Sequence, residues 1–95
     1  MIGKNYRHHQ QILADVLLIT QDANRNGIAV TKLCTKSNIS HGRLRSLLAT
    51  LTGSGLVNNI QYDGKNTFVI TEKGRLFLEE YKKFHDFAEA YGLEI

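Results

Sequence analysis

The sequence predicts an α+β fold, mostly α, and three observations carry that reading. Apolar residues recur at helical spacing in the N-terminal stretch, around residues 40–53 and after Thr71. Only two short runs rich in β-branched and aromatic residues, on either side of Asp63-Gly64-Lys65-Asn66, read as strands. The 95 residues are 42% hydrophobic and 22% charged, with no proline and no low-complexity tract, which suits a single globular domain with one core.

Helix one is expected from about residue 6 to residue 23, where Ile12, Leu13, Val16, Leu17, Ile19 and Ala23 share a stripe. Asn24 to Gly27 ends it. Leu18 falls off the stripe, either as a lone exposed leucine or as a contact for another chain. A short extended piece, Ile28 to Val30, then leads to Thr31, a suitable N-cap for a two-turn second helix ending at Ser37. Leu33 and Cys34 would be its buried positions, which makes the only cysteine a structural thiol.

After a turn at Asn38 and Ile39, Ser40 can cap helix three by accepting a first-turn backbone N–H. Leu44, Leu47, Leu48 and Leu51 form its buried stripe. At 100° per residue, Gly42, Ser46 and Ala49 fall opposite, with Arg43 and Thr50 on one edge and Arg45 on the other. No carboxylate occurs between Asp22 and Asp63. The exposed side of helix three is therefore small and basic, where a face serving only solubility commonly mixes glutamate with lysine.

Gly53, Ser54 and Gly55 end that helix. Leu56 to Tyr62 and Thr67 to Ile70 then form a β-hairpin whose inward residues should be Leu56, Ile60 and Tyr62 against Phe68 and Ile70, unless a bulge shifts the register. Thr71 caps a last helix from Glu72 to about Tyr91, with Glu72 near the positive end of its dipole and Gly74 allowing close packing at its start. Phe77, Tyr81, Phe84, Ala88 and Tyr91 follow a 4,3,4,3 spacing, the seam of a helix pair. Glu79 and Lys83 stand as an i,i+4 pair on its wet side. Three helices, a short strand, a hairpin and a closing helix, in that order, define a winged helix-turn-helix with an additional C-terminal helix.

The net charge of +3 conceals an asymmetry. Residues 1–50 hold seven lysines and arginines against Asp15 and Asp22, a net of +5, whereas residues 51–95 hold five against seven carboxylates, a net of −2. Such segregation suits a chain with one face for a polyanion. An enzyme is not expected. His8, His9, His41 and His85 are scattered, no Cys/His cluster stands at metal spacing, and no glycine-rich phosphate loop or nucleophile elbow occurs. No catalytic residue, cofactor, metal or small-molecule ligand is therefore assigned. No apolar run approaches the roughly 18 residues of a membrane span, and the N-terminus lacks a signal-peptide pattern, so a cytoplasmic protein is expected.

The stretches "VTKLCTKSNIS", "LRSLLATLTGSGLV" and "FVITEKGRLFLEEY", covering most of residues 28–81, resemble the archaeal ten-kilodalton winged-helix DNA-binding proteins that dimerise through their last helix. The "NIS" turn, the "GLV" at the helix-to-wing junction and the "ITEKG" after the wing are the most specific pieces. The chain departs from the long coiled-coil members of that family by ending soon after Tyr91. The resemblance implies double-stranded DNA as partner, a homodimer, a nucleoid-associated location, and a role as transcription regulator or chromatin-like architectural protein.

The contact set expected on DNA is Ser40, His41, Gly42, Arg43, Arg45 and Ser46 on helix three, with Lys32 and Lys36 on phosphates and Lys65 and Asn66 at the wing tip. Arg43 and Arg45 can each read guanine or hold a phosphate. Dimerisation is expected through Phe77, Tyr81, Phe84, Phe87, Ala88 and Tyr91, joined by Leu18, although the same stripe could pack on its own domain. Residues 1–71 would then be the winged domain and 72–95 the dimerisation element, within one compact unit. The alternative reading is a winged helix that docks another protein through the same basic face.

Overall fold

Residues 9–23 and 25–92 are described by a computed structural model. The expected start of helix one near residue 6, His8 and Asn24 lie outside the described residues. The elements run α1 (His9–Asp22), β1 (Ile28–Ala29), α2 (Val30–Ser37), α3 (His41–Gly53), β2 (Val57–Tyr62), β3 (Lys65–Ile70) and α4 (Glu72–Ala90). The leucine stripe of α3 does what its spacing dictates: Leu44, Leu47, Leu48 and Leu51 are all buried. They meet Ile12, Val16 and Leu17 of α1, Leu33 of α2, and Val57 and Phe68 of the sheet in one cluster. Each fully buried leucine contributes about 1.5–3 kcal/mol. The buried hydroxyls of Thr20 and Ser37 donate to the carbonyls of Val16, at 2.7 Å, and Leu33, at 2.6 Å, so the core carries no unpaired hydroxyl at these sites.

Helix two begins earlier than the sequence predicts. Ile28 and Ala29 pair with Phe68 and Thr67, and the chain turns helical at once, with extended Ala29 as N-cap and no side-chain cap bond. Thr31 is thus inside the helix rather than capping it, and its carbonyl accepts from Thr35 Oγ1 at 3.2 Å. Asn38 ends α2 in the left-handed region, φ 59°, and its N–H donates to the Cys34 carbonyl at 2.9 Å. That reversal buries Ile39 and places Ser40 to cap α3, its hydroxyl accepting the Arg43 N–H at 3.4 Å. Cys34 is a free, partly buried thiol packed against the core.

The hairpin turn is tighter than expected. Asp63 and Gly64 alone form it, with φ of 54° and 75°, the pair of left-handed residues that a two-residue type I′ turn needs. Lys65 and Asn66 are consequently strand residues, opposite Tyr62 and Gln61. In this register Ile60 faces Thr67 while Phe68 faces Asn59, so the expected inward set combines two opposite faces of the sheet. The buried positions are Val57, Thr67 and Phe68; Tyr62 is 50% exposed, because the distal half of the hairpin extends past the helices that cover its base. β3 is the central strand of the order β1-β3-β2.

Thr71 and Gly74 join the wing to α4. The single proton of the Thr71 hydroxyl is shared between the carbonyls of Gly55, at 2.7 Å, and Leu56, at 3.0 Å, and its oxygen accepts the Gly74 N–H at 3.0 Å. A Cβ on Gly74 would collide with the Leu56 carbonyl oxygen and lie 2.7 Å from Ile70 Cγ1, which is the close packing expected there. α4 then runs along α1, with Phe77 and Leu78 packed against the core. Leu76 points outward, 54% exposed. Lys83 pairs with Glu80 at 3.5 Å rather than with Glu79, and Lys82 with Asp86 at 3.4 Å, both on the wet side.

Candidate nucleic-acid interface

The side of α3 opposite its leucines is open. His41, Gly42, Arg43, Arg45, Ser46, Ala49 and Thr50 are all exposed, as is the capping Ser40. Among the described residues no ion pair engages Arg43 or Arg45, so both guanidiniums keep their donors for an external acceptor. The helix dipole adds positive potential at the Ser40 end. Lys32 and Lys36, also exposed, stand one turn apart on α2 and line a shallow groove of about 300 Å³ with Ile19, Asp22 and Ile28. Lys65 and Asn66 are exposed on the wing beside its turn, where Asn66 Oδ1 accepts from Gln61 Nε2 at 3.4 Å. Tyr62, expected to face inward, instead exposes its ring opposite Lys65 and joins this surface. Its signal was the Asp-Gly pair: a two-residue turn places the residue before it at the outermost rung of the ladder.

The residues expected to dimerise divide into two groups. Phe84, Phe87 and Tyr91 are 57%, 60% and 70% exposed, and the rings of Phe87 and Tyr91 lie 4.7 Å apart. Phe77 and Tyr81 are partly buried, with ring centroids 6.5 Å apart, and Ala88 is buried, so these face inward. Leu18, 49% exposed, lines a groove of about 430 Å³ between α1 and α4 with Ala14, Leu78, Tyr81 and Lys82. Phe84, Phe87 and Tyr91 do not line it. At 100° per residue, Leu78, Lys82 and Asp86 occupy the opposite flank of α4 from the three exposed aromatics. Leu18 therefore does not extend the aromatic stripe.

One cluster departs from the scattered histidines of the sequence reading. His85, Asp86 and Glu89 bring one potential ligand atom each within 4.8 Å of the others. Their i, i+1, i+4 spacing on a helix was the available signal. Asp86 is already held by Lys82, and the His85 ring lies 5.9 Å from that of Tyr81.

The chain belongs to the winged helix-turn-helix family, whose model matches residues 6–89. In structure it is similar to Sso10a-2, a DNA-binding protein from Sulfolobus solfataricus, at a TM-score of 0.74 and 21% identity over 90% of this chain and 85% of that one. It is similar to the transcriptional repressor CouR, solved bound to a 23-mer DNA duplex, at a TM-score of 0.69 and 27% identity over 85% of this chain and 56% of that one. A third similar structure is F-93 of SSV1, at a TM-score of 0.62 and 21% identity over 95% of this chain and 99% of that one. No curated protein matches the sequence. The likeness to Sso10a-2 bears out, at the level of fold, the resemblance read from the sequence. No helix among the described residues is long and apolar enough to cross a membrane.

Proposed function

We propose that the protein binds double-stranded DNA as a transcription regulator or architectural protein of the nucleoid, with α3 in the major groove and the wing against the adjoining backbone. The observation that carries this reading is the α3 face: exposed, free of acid, flanked by two arginines that pair with no acid among the described residues, and set opposite a wholly buried leucine stripe. Ser40, His41, Gly42, Arg43, Arg45 and Ser46 supply the groove contacts. Lys32, Lys36 and Lys65 hold phosphates, and Asn66 stands beside Lys65 at the wing. The DNA-bound state of the similar repressor supports this use of the fold.

Residues 72–95 serve, in this reading, as a dimerisation element centred on Phe84, Phe87 and Tyr91. Their exposure supports it, since three adjoining aromatics form a larger apolar patch than a soluble monomer usually leaves open. Pairing with a second copy across a two-fold axis would cover the patch and double the phosphate contacts of a modestly basic chain.

The test is a salt titration of duplex binding by fluorescence anisotropy. A dimer that neutralises roughly six phosphates gives a log K against log salt slope of about −5, and Arg45→Ala weakens binding. A slope near zero rejects the nucleic-acid reading in favour of a protein-docking winged helix.

A further inference from the structure

We propose that Gly42 is the point of closest approach between α3 and duplex DNA, and that its missing side chain lets the DNA surface reach the helix backbone. This rests on the DNA-binding reading above. The fold itself does not require glycine at this position. Gly27 and Gly74 are enforced by collisions that a Cβ would make, and Gly55, Gly64 and Gly92 by left-handed φ. Gly42 has neither reason: it lies in the first turn of α3 without a positive φ, and a Cβ built on it meets nothing within 4 Å. Nor does it cap the helix, because Ser40 accepts the N–H of Arg43.

Alanine would fit this site and favour the helix, since glycine carries the larger conformational entropy cost there. The locally worse residue therefore stands where α3 is exposed, between the capping Ser40 and the guanidinium of Arg43. Arg43 and Arg45 can reach outward along their stems to a polyanion held at some distance. A methyl group at position 42 would keep the partner off the helix backbone, and both arginines would then hold the duplex in a displaced register. Ser46, one turn further along the same side, would lose its reach first, because its hydroxyl is short.

The experiment compares Gly42→Ala with Gly53→Ala, which makes the same chemical change at the opposite end of α3, about 16 Å along the axis. Position 53 is also open to a Cβ. Each full-length variant is melted by circular dichroism and titrated with a fixed duplex at fixed salt. Gly42→Ala should melt above the wild type yet bind at least about tenfold more weakly, while Gly53→Ala binds within about twofold of wild type. Wild-type affinity in Gly42→Ala, or an equal loss in both variants, overturns the proposal. A wild-type chain that binds no duplex overturns the DNA reading itself, and this inference with it.

Discussion

Replacing Gly74 by alanine tests the junction on which the placement of α4 depends. The added methyl would meet the Leu56 carbonyl oxygen and stand 2.7 Å from Ile70 Cγ1, well inside ordinary carbon contact. Neither neighbour can yield freely. The Leu56 carbonyl accepts both the Thr71 N–H at 3.1 Å and the Thr71 hydroxyl at 3.0 Å, so moving it weakens two bonds. Ile70 is the last residue of β3 and packs against the core. Overpacking of this kind costs about 1–3 kcal/mol, offset by up to about 1 kcal/mol of helix propensity gained when alanine replaces glycine. A net loss of about 1–2 kcal/mol lowers the melting midpoint of a domain this size by roughly 5–15 °C. Thermal denaturation followed at 222 nm reads it directly. A Gly74→Ala chain that melts at or above the wild type would refute the close-packing account and show that α4 can lift off the sheet without cost.

Two further outcomes are expected. Phe84→Glu should leave the fold intact, because Phe84 is 57% exposed, but should convert a dimer to monomers by light scattering and weaken DNA binding; a wild-type monomer at micromolar concentration would refute the dimer. Tyr81 titrates above its ordinary value of 10.0, first because it is partly buried and second because Asp15 opposes a second negative charge. The folded chain thus holds a proton that the unfolded chain releases, so this contribution to stability is complete below about pH 10 and lost as pH rises through the raised folded value. Tyr81→Phe should make the fall in melting temperature between about pH 9 and pH 11 shallower, and an unchanged slope would show that Tyr81 is not coupled to folding.

The helices were legible because their signals are local and redundant. Leu44, Leu47, Leu48 and Leu51 specify one buried face whatever lies beyond it, and Ser40 and Thr71 cap as their positions suggest. The sheet was less legible because register depends on turn length, and Asp63-Gly64-Lys65-Asn66 holds turn-forming residues throughout. Reading four turn residues where two suffice moves every cross-strand partner by two and leaves the faces unchanged, so the inward assignment of Ile60 and Tyr62 has another source: their apolar character, although the residues directly across from Phe68 and Ile70 are Asn59 and Val57. The start of α2 was misplaced for another reason. Thr31 is a good cap in isolation, but pairing of Ile28 and Ala29 with β3 determines where the extended segment ends.

In the candidate site, the basic face of α3 followed from helical geometry alone, whereas the separation of Leu18 from the aromatic stripe did not. Helical spacing within α4 does not reveal which of its flanks α1 covers. That flank is fixed by packing between elements distant in the chain: the groove joins Leu18 to Leu78 and Lys82 and leaves Phe84, Phe87 and Tyr91 on the other side.

This division bears on how two copies could read one duplex. Thr71 binds the carbonyls of Gly55 and Leu56, just after α3, while capping α4, so this junction, with the tight contact at Gly74 and the packing of α4 along α1, holds the angle between the two helices. If the exposed aromatic flank pairs two copies, the separation of their α3 helices follows from that angle and from where along α4 the pair crosses. Successive major grooves on one face of DNA lie about 34 Å apart, so only a narrow range of crossings serves. Phe84 lies one turn before Ala88 and two before Tyr91, and a crossing displaced by one helical turn moves the contact about 5.4 Å along each α4. A stiff junction at Thr71 and Gly74 carries such a displacement into the spacing of the α3 helices instead of absorbing it. The aromatic positions and the junction therefore have to be matched to each other, although they touch different parts of the molecule.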